Sequence, residues 1–200
     1  MIFYKNYNII IKKEVLRGKN KGEYMKDLYV YMFRSRNKDN AHLSNFHERC
    51  KTILAYGEDE QKVRRDFERF AAEGIPGEKT RLYRSVNRRD ENKIREELTI
   101  HLIKDKPSVT KLNATLTSVA MQSNSRAESK WLFDFDIDSP LMVLQFYNDL
   151  PVDGTIYKTP NGYAIVVDHG FDIRELMKKW EKYDITLKRD NLLFLDMKEA

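Results

Sequence analysis

Apolar residues fall into short runs of period two and longer stripes of period three to four, and their order predicts a mixed α+β chain. Leu28-Tyr29-Val30-Tyr31-Met32-Phe33 reads as a buried strand closed by the polar turn Asn37-Lys38-Asp39-Asn40. Leu43, Phe46, Cys50, Ile53 and Leu54 recur at helical spacing up to Gly57. A second helix is expected over 58–73, with Val63, Phe67 and Phe70 inward and Lys62, Arg64, Arg65 and Arg69 on the other side. Residues 80–87 read as a strand. Asp90 caps a helix running to Ile103, with Ile94, Leu98, His101 and Leu102 inward, and Val109, Leu112, Leu116 and Val119 mark one more helix.

From Trp131 to Asp138 apolar and acidic residues alternate strictly. Phe133, Phe135 and Ile137 then share one strand face, and Asp134, Asp136 and Asp138 the other. Three carboxylates on one face repel unless a cation sits among them, and paired carboxylates are a usual way to hold Mg²⁺ or Mn²⁺ against a phosphate. Ser139-Pro140 opens a helix carrying Leu141, Leu144 and Tyr147. Strands 155–159 and 163–168 flank the turn Pro160-Asn161-Gly162. A helix on Ile173, Leu176, Met177 and Trp180 and a last strand over 191–197 complete a β-α-β-β-α-β order, the split βαβ or ferredoxin-like arrangement. The expected division is a basic N-terminal extension over 1–24, with a strand over 7–11 and Met25 as an alternative start, an α/β module over 25–129, and a ferredoxin-like module over 130–200.

Composition supports a packed core, with 41% hydrophobic and 12% aromatic residues. No apolar run approaches the roughly 18 residues of a membrane span, and no signal-peptide pattern opens the chain, so a cytoplasmic protein is expected. The single cysteine, Cys50, allows no internal disulfide and reads as a small core residue. The net charge of +5 is uneven: residues 129–200 hold nine Lys/Arg against thirteen Asp/Glu, while the preceding residues are basic. That asymmetry suits a polyanion held by one part and metal-bound phosphates met by the other.

An open-faced RRM-like sheet with h-h-h-D-h-D on its first strand resembles the archaeo-eukaryotic primase-polymerase superfamily. Phe133-Asp134-Phe135-Asp136 is similar to the family's first motif, and Leu192-Leu193-Phe194-Leu195-Asp196 to its third. Thr159-Pro160-Asn161-Gly162-Tyr163 resembles the second motif, T-P-N-G-Y-H, of phage-type relatives, with Ala164 at the histidine's place. The resemblance implies a bacteriophage-encoded nucleotidyltransferase in the host cytoplasm. Asp134, Asp136, Asp138 and Asp196 would hold Mg²⁺ or Mn²⁺, with Lys158, Thr159 and Asn161 on the nucleotide. His169, five residues after Ala164, is the substitute for the missing imidazole. Nucleoside triphosphates, single-stranded DNA or RNA, and a host or phage replication protein are the implied partners.

Three other readings stand beside it. Gly162-Tyr163-Ala164-Ile165-Val166 also resembles the third-strand signature of RNA-binding RRM domains, which puts Tyr163 on the open face to stack on a base. That reading describes a catalytically inactive nucleic-acid- or nucleotide-binding module. A phage inhibitor of a host factor is the interaction-protein alternative. Asp196-Met197-Lys198 matches the end of a nuclease core, in a strand order that does not suit that fold. Arg81, Arg84, Arg88 and Arg89 form the densest basic cluster, a candidate phosphate or template cradle. No Walker A or H-E-x-x-H motif is present, and His42, His47 and His101 lack ligand spacing.

Overall fold

The computed structural model describes residues 26–200; the expected extension over 1–24, with its strand at 7–11, lies outside the described residues. These form an α+β structure with two four-stranded antiparallel sheets, divided into two compact units. One comprises residues 26–128 with Leu192–Ala200, the other Ser129–Asn191.

The first unit is built on β1 (Leu28–Ser35), β2 (Arg49–Tyr56), β3 (Lys79–Ser85) and a strand from the far end of the chain, Leu192–Glu199, in the order β2-β1-β3 and then that strand. Alternation along β1 sends Tyr31 and Phe33 to one face and Leu28 and Val30 to the other. Between β1 and β2 lies one turn of helix, α1 (Asn37–Asn40). On the Phe33 face, α2 (Glu60–Ala72) buries Val63 and Phe67 and places Phe67 and Phe70 at 5.5 and 5.7 Å from the Phe33 ring. On the other face, Leu28 and Val30 cluster with Ile94 of α3 (Glu91–Asp105) and Val119 and Ala120 of α4 (Leu112–Ala120). Asp90 caps α3 as the sequence predicts, accepting from the Asn92 and Lys93 amides at 3.0 and 3.2 Å. Leu102 is exposed instead of inward.

Two further expectations for this unit fail. The helical spacing from Leu43 to Leu54 is incidental: residues 49–56 pair along their whole length with β1, from Leu28 opposite Tyr56 to Ser35 opposite Arg49. The run Thr52-Ile53-Leu54-Ala55-Tyr56 is rich in strand formers, and pairing overrides the four-residue period. Cys50 is accordingly exposed on β2 and is not a core residue.

The second unit runs β4 (Lys130–Phe135), α5 (Pro140–Asp149), β5 (Gly154–Thr159), β6 (Gly162–Asp168), α6 (Arg174–Lys179), β7 (Ile185–Lys188), in sheet order β5-β6-β4-β7. Phe146 of α5 is its centre, with the Phe133 and Phe135 rings each at 5.0 Å and Trp180 at 5.5 Å. The Trp180 indole N–H, buried with it, donates to Asp149 at 2.8 Å. The fourth strand is thus β7, and the strand expected over 191–197 is β8 (Leu192–Glu199) of the first sheet, paired with β3 from Ser85 opposite Leu192 to Lys79 opposite Glu199. β7 is only four residues long, too short to compete in sequence with the longer apolar run that follows it.

Candidate functional site

The acidic segment lies at one end of the second sheet. Residues directly opposite in an antiparallel pair share a face, so Phe133 with Ile165, and Phe135 with Tyr163, belong to the helix-covered face. Tyr163 packs against that core. It is therefore not on the face where the RNA-binding reading requires it. The other face carries a row across the sheet, Tyr157, Ala164, Asp134 and Thr186. Ala164 is thus the direct cross-strand neighbour of Asp134. The Asp134 carboxylate accepts a hydrogen bond from the Lys188 ammonium, which reaches it from β7.

β4 ends at Phe135, so Asp136 and Asp138 are exposed beyond it and do not share one paired strand face with Asp134. The Asp136 amide donates to the Asp184 carbonyl at 3.3 Å. The Asp138 carboxylate accepts from the Lys158 ammonium, which also stands 4.2 Å from the Tyr163 ring centroid. Gly162 closes this end. A Cβ there would stand 2.0 Å from the Phe135 carbonyl oxygen and 2.9 Å from the Ile137 amide. Only a residue without a side chain lets the turn 160–162 lie against residues 135–137. The contact gathers Lys158, Thr159, Asn161, Asp136 and Asp138 at one end of the sheet.

Two predicted partners are elsewhere. Lys130 is opposite Asp168, so His169 follows β6 at the start of β4. Its amide donates to Ser129 O at 3.3 Å and its ring meets Trp131 edge-on at 5.6 Å. The six residues of β4, roughly 20 Å, lie between that end and Asp136. His169 does not take up the place of the missing imidazole. Asp196 belongs to β8, opposite Leu82, where Arg64 is its partner at 3.5 Å and its carboxylate accepts from the Met197 amide at 2.8 Å. The carboxylates Asp134, Asp136, Asp138 and Asp196 are therefore not assembled on one sheet. Among the described residues no group of three or more His, Cys, Asp or Glu side chains is placed to hold a metal ion.

The four arginines do not form one surface either. Arg81 and Arg84 are three apart on β3 and point to opposite faces. Arg81 is 6% exposed and donates to Asp39 at 2.5 Å, beside the Arg36–Asp39 pair at 2.7 Å. Burial pushes the Asp39 carboxyl up, but the Arg36 and Arg81 hydrogen bonds outweigh it and hold the group below its ordinary value. Arg84 lies 4.6 Å over the Tyr29 ring and pairs with Glu60 at 3.3 Å. Arg88 pairs with Asp27 at 2.9 Å and Glu128 at 3.2 Å. Arg89 is 2% exposed, with its guanidinium 3.7 Å from the Met121 sulfur. These side chains hold the first unit together.

Lys188 and Asp184 complete the acidic end and were not legible in the sequence. Their only signal is the alternation of Ile185 and Leu187 with Thr186 and Lys188, which is too short to read as a strand. Comparison with protein families, with characterised proteins and with solved structures finds no match to the chain.

Proposed function

We propose that residues 129–191 are an RRM-like module of the ferredoxin-like, split βαβ kind that binds a metal-chelated nucleoside phosphate and does not polymerise it. The strand order β5-β6-β4-β7, with β6 separating the two strands joined by α5, supports the fold reading. The close approach of Gly162 to residues 135–137 carries the ligand reading, because it brings Lys158, Thr159 and Asn161 beside two exposed carboxylates.

The donor set decides between ligands. Mg²⁺ is usually held by one or two carboxylates plus phosphate oxygens and water, so Asp136 and Asp138 suit a metal that arrives with its nucleotide. Bound there, the metal would neutralise phosphate charge. Lys158 would leave Asp138 for a phosphate oxygen, and Thr159 and Asn161 would donate to the remaining oxygens. Eight Lys/Arg against eleven Asp/Glu over 129–191 disfavour a bare polyanion. Polymerisation is disfavoured because Asp134 is held by Lys188 and its neighbour Ala164 offers a methyl where the resembled family has an imidazole. Losing one such charge-stabilising donor costs about 2.7–4 kcal/mol of barrier.

Melting followed by tryptophan fluorescence tests this, because Trp131 and Trp180 both belong to this unit. Mn²⁺ alone and ATP with chelator should leave the transition unmoved. Together they should raise it, by about 2.7 kcal/mol at a hundredfold excess over the dissociation constant. Asp136→Asn with Asp138→Asn should abolish the shift, and neither the wild type nor Ala164→His should extend a primer. No shift with metal and nucleotide together would refute the binding reading. Extension that Asp136→Asn abolishes would restore the enzyme.

A further inference from the structure

We infer that the cleft between α5 and residues 179–183 receives the nucleoside of the ligand whose phosphates the acidic end holds, with its base stacked on Tyr183. This rests on the nucleotide reading above and gives a place to the half of the ligand that the acidic end leaves over. The cleft, of about 440 Å³, is lined by Gln145, Asn148 and Asp149 of α5 and by Lys179, Trp180 and Tyr183.

Both walls of the cleft leave the acidic end. α5 begins at Pro140, two residues after Asp138, and rises about 1.5 Å per residue, so Gln145 and Asn148 stand about 8 and 12 Å along it. On the other side the Asp136 amide donates to the carbonyl of Asp184, the residue next to Tyr183. The Cα atoms of Asp136 and Tyr183 are therefore about 11 Å apart at most. A nucleotide with its phosphates over Asp136 and Asp138 has both walls within its own length.

The lining suits an uncharged, flat group edged with hydrogen-bonding atoms. Its one acid and one base offset each other, because Lys179 pairs with Asp149 Oδ2 at 2.8 Å. The Trp180 indole N–H donates to the same oxygen. The Lys179 and Trp180 hydrogen bonds hold the carboxyl below its ordinary value, so it stays ionised, and Oδ1 is left to accept an amine or hydroxyl hydrogen of the nucleoside. The Tyr183 ring is 44% exposed and is backed by Trp180, with ring centroids 5.2 Å apart, which makes a supported platform that still meets solvent. Among the described residues the Gln145 and Asn148 side-chain amides make no hydrogen bond. Each offers both a donor and an acceptor, as the edge of a base requires, and an aromatic ring beside such groups is how single bases are held. A phosphate finds no unpaired cation in the cleft, so the base goes there and the phosphates do not.

Isothermal titration of the full chain compares ATP and tripolyphosphate, both with Mn²⁺, and adenosine. Mn²⁺–ATP should bind about fivefold to a hundredfold tighter than Mn²⁺–tripolyphosphate, the range that stacking a base supplies. Tyr183→Ala should bring ATP down to the affinity of tripolyphosphate and leave tripolyphosphate unchanged, while Tyr183→Phe, which keeps the ring, should retain the difference. Gln145→Ala with Asn148→Ala changes only exposed positions of α5 and should weaken ATP alone, which covers the case of a Tyr183 variant that does not fold. Adenosine lacks the phosphates that Asp136 and Asp138 repel in the absence of metal. It should bind at millimolar concentration with or without Mn²⁺, and Tyr183→Ala should abolish this. Equal wild-type affinities for the ATP and tripolyphosphate complexes would overturn the inference and leave the phosphate site standing. So would an equal loss of both in Tyr183→Ala. If neither complex binds, the nucleotide reading fails on its own, and adenosine decides for the cleft. No adenosine binding, or binding unchanged in Tyr183→Ala, would then overturn the inference too.

Discussion

Replacing Gly162 by alanine perturbs the acidic end through one atom. The added Cβ would stand 2.0 Å from the Phe135 carbonyl oxygen, 2.9 Å from the Ile137 amide nitrogen and 3.0 Å from the Ile137 oxygen. Carbon and oxygen do not approach much closer than about 3.3 Å, so the chain must part there by more than about 1 Å. Every obstructing atom is backbone, so no rotamer change relieves the clash. Overpacking typically costs about 1–3 kcal/mol, and with main chain on the receiving side a loss of at least about 3 kcal/mol is expected. For a domain this small that lowers the melting temperature by roughly 12 °C or more. Urea titration followed by tryptophan fluorescence reads the second unit alone. Gly57→Ala, read by circular dichroism because it lies in the first unit, is the control: its Cβ would meet only ordinary contacts from 3.5 Å outward, and it should change stability by less than about 1 kcal/mol. If Gly162→Ala unfolds within about 1 kcal/mol of the wild type, the turn does not rest on residues 135–137 and the site loses its geometry.

Two further outcomes concern the first unit. Glu78, like Asp39, is pushed up by burial, but the hydrogen bonds led by Arg49 outweigh it and hold its carboxyl below the ordinary value. The folded state thus binds fewer protons than the unfolded one. This stability is fully present above the ordinary values of 3.8 and 4.5, and it is lost as pH falls through the lowered folded ones. Circular dichroism in urea should show constant stability from neutral to about pH 5 and a fall below it. Asp39→Asn should be less stable at neutral pH with a shallower fall, and an unchanged slope would contradict the assignment. Separately, Arg84→Ala with Arg88→Ala should lower the unfolding midpoint by breaking their ion pairs. Any weak binding of single-stranded DNA should keep its salt dependence, whereas removing a phosphate contact would flatten the log–log slope by about 0.7.

Long or well-capped periodic segments were legible. Asp90 opens α3 where an aspartate before an apolar stripe predicts it, and Phe133 and Phe135 lie on the covered face that alternation assigns them. Alternation could not say where pairing stops. Asp136 and Asp138 continue the sequence pattern of β4, but no strand pairs with them; Asp134 and Asp138 are held in separate ion pairs and Asp136 is exposed. The arginine cluster misled for a related reason. Four arginines within nine residues look like one surface, but a strand distributes its side chains over two faces and the chain then leaves the sheet at Val86. Helical spacing over 43–54 was a coincidence of apolar residues that only the pairing with β1 could expose.

The largest discrepancy, the C-terminal strand, shows how the chain is put together. Residues 129–191 are inserted between α4 and β8 of the first unit and do not simply follow it. Both junctions sit at one place on that unit: Leu192 opposite Ser85 at the end of β3, and Glu128 accepting from the Arg88 amide three residues further on. The ends of the insert are adjacent as well, because β4 starts where β7 finishes, with Leu132 opposite Lys188. An element whose two ends lie side by side can be received by a host sheet without distorting it, the condition under which domain insertion is tolerated. The first sheet therefore completes itself only with the last residues of the chain. In sequence, β8 looks like the natural last strand of the second sheet because it is longer and more apolar than β7. Local pattern favours the stronger strand for the nearer sheet, but β3 needs a partner on its outer edge, and Leu192–Glu199 supplies it.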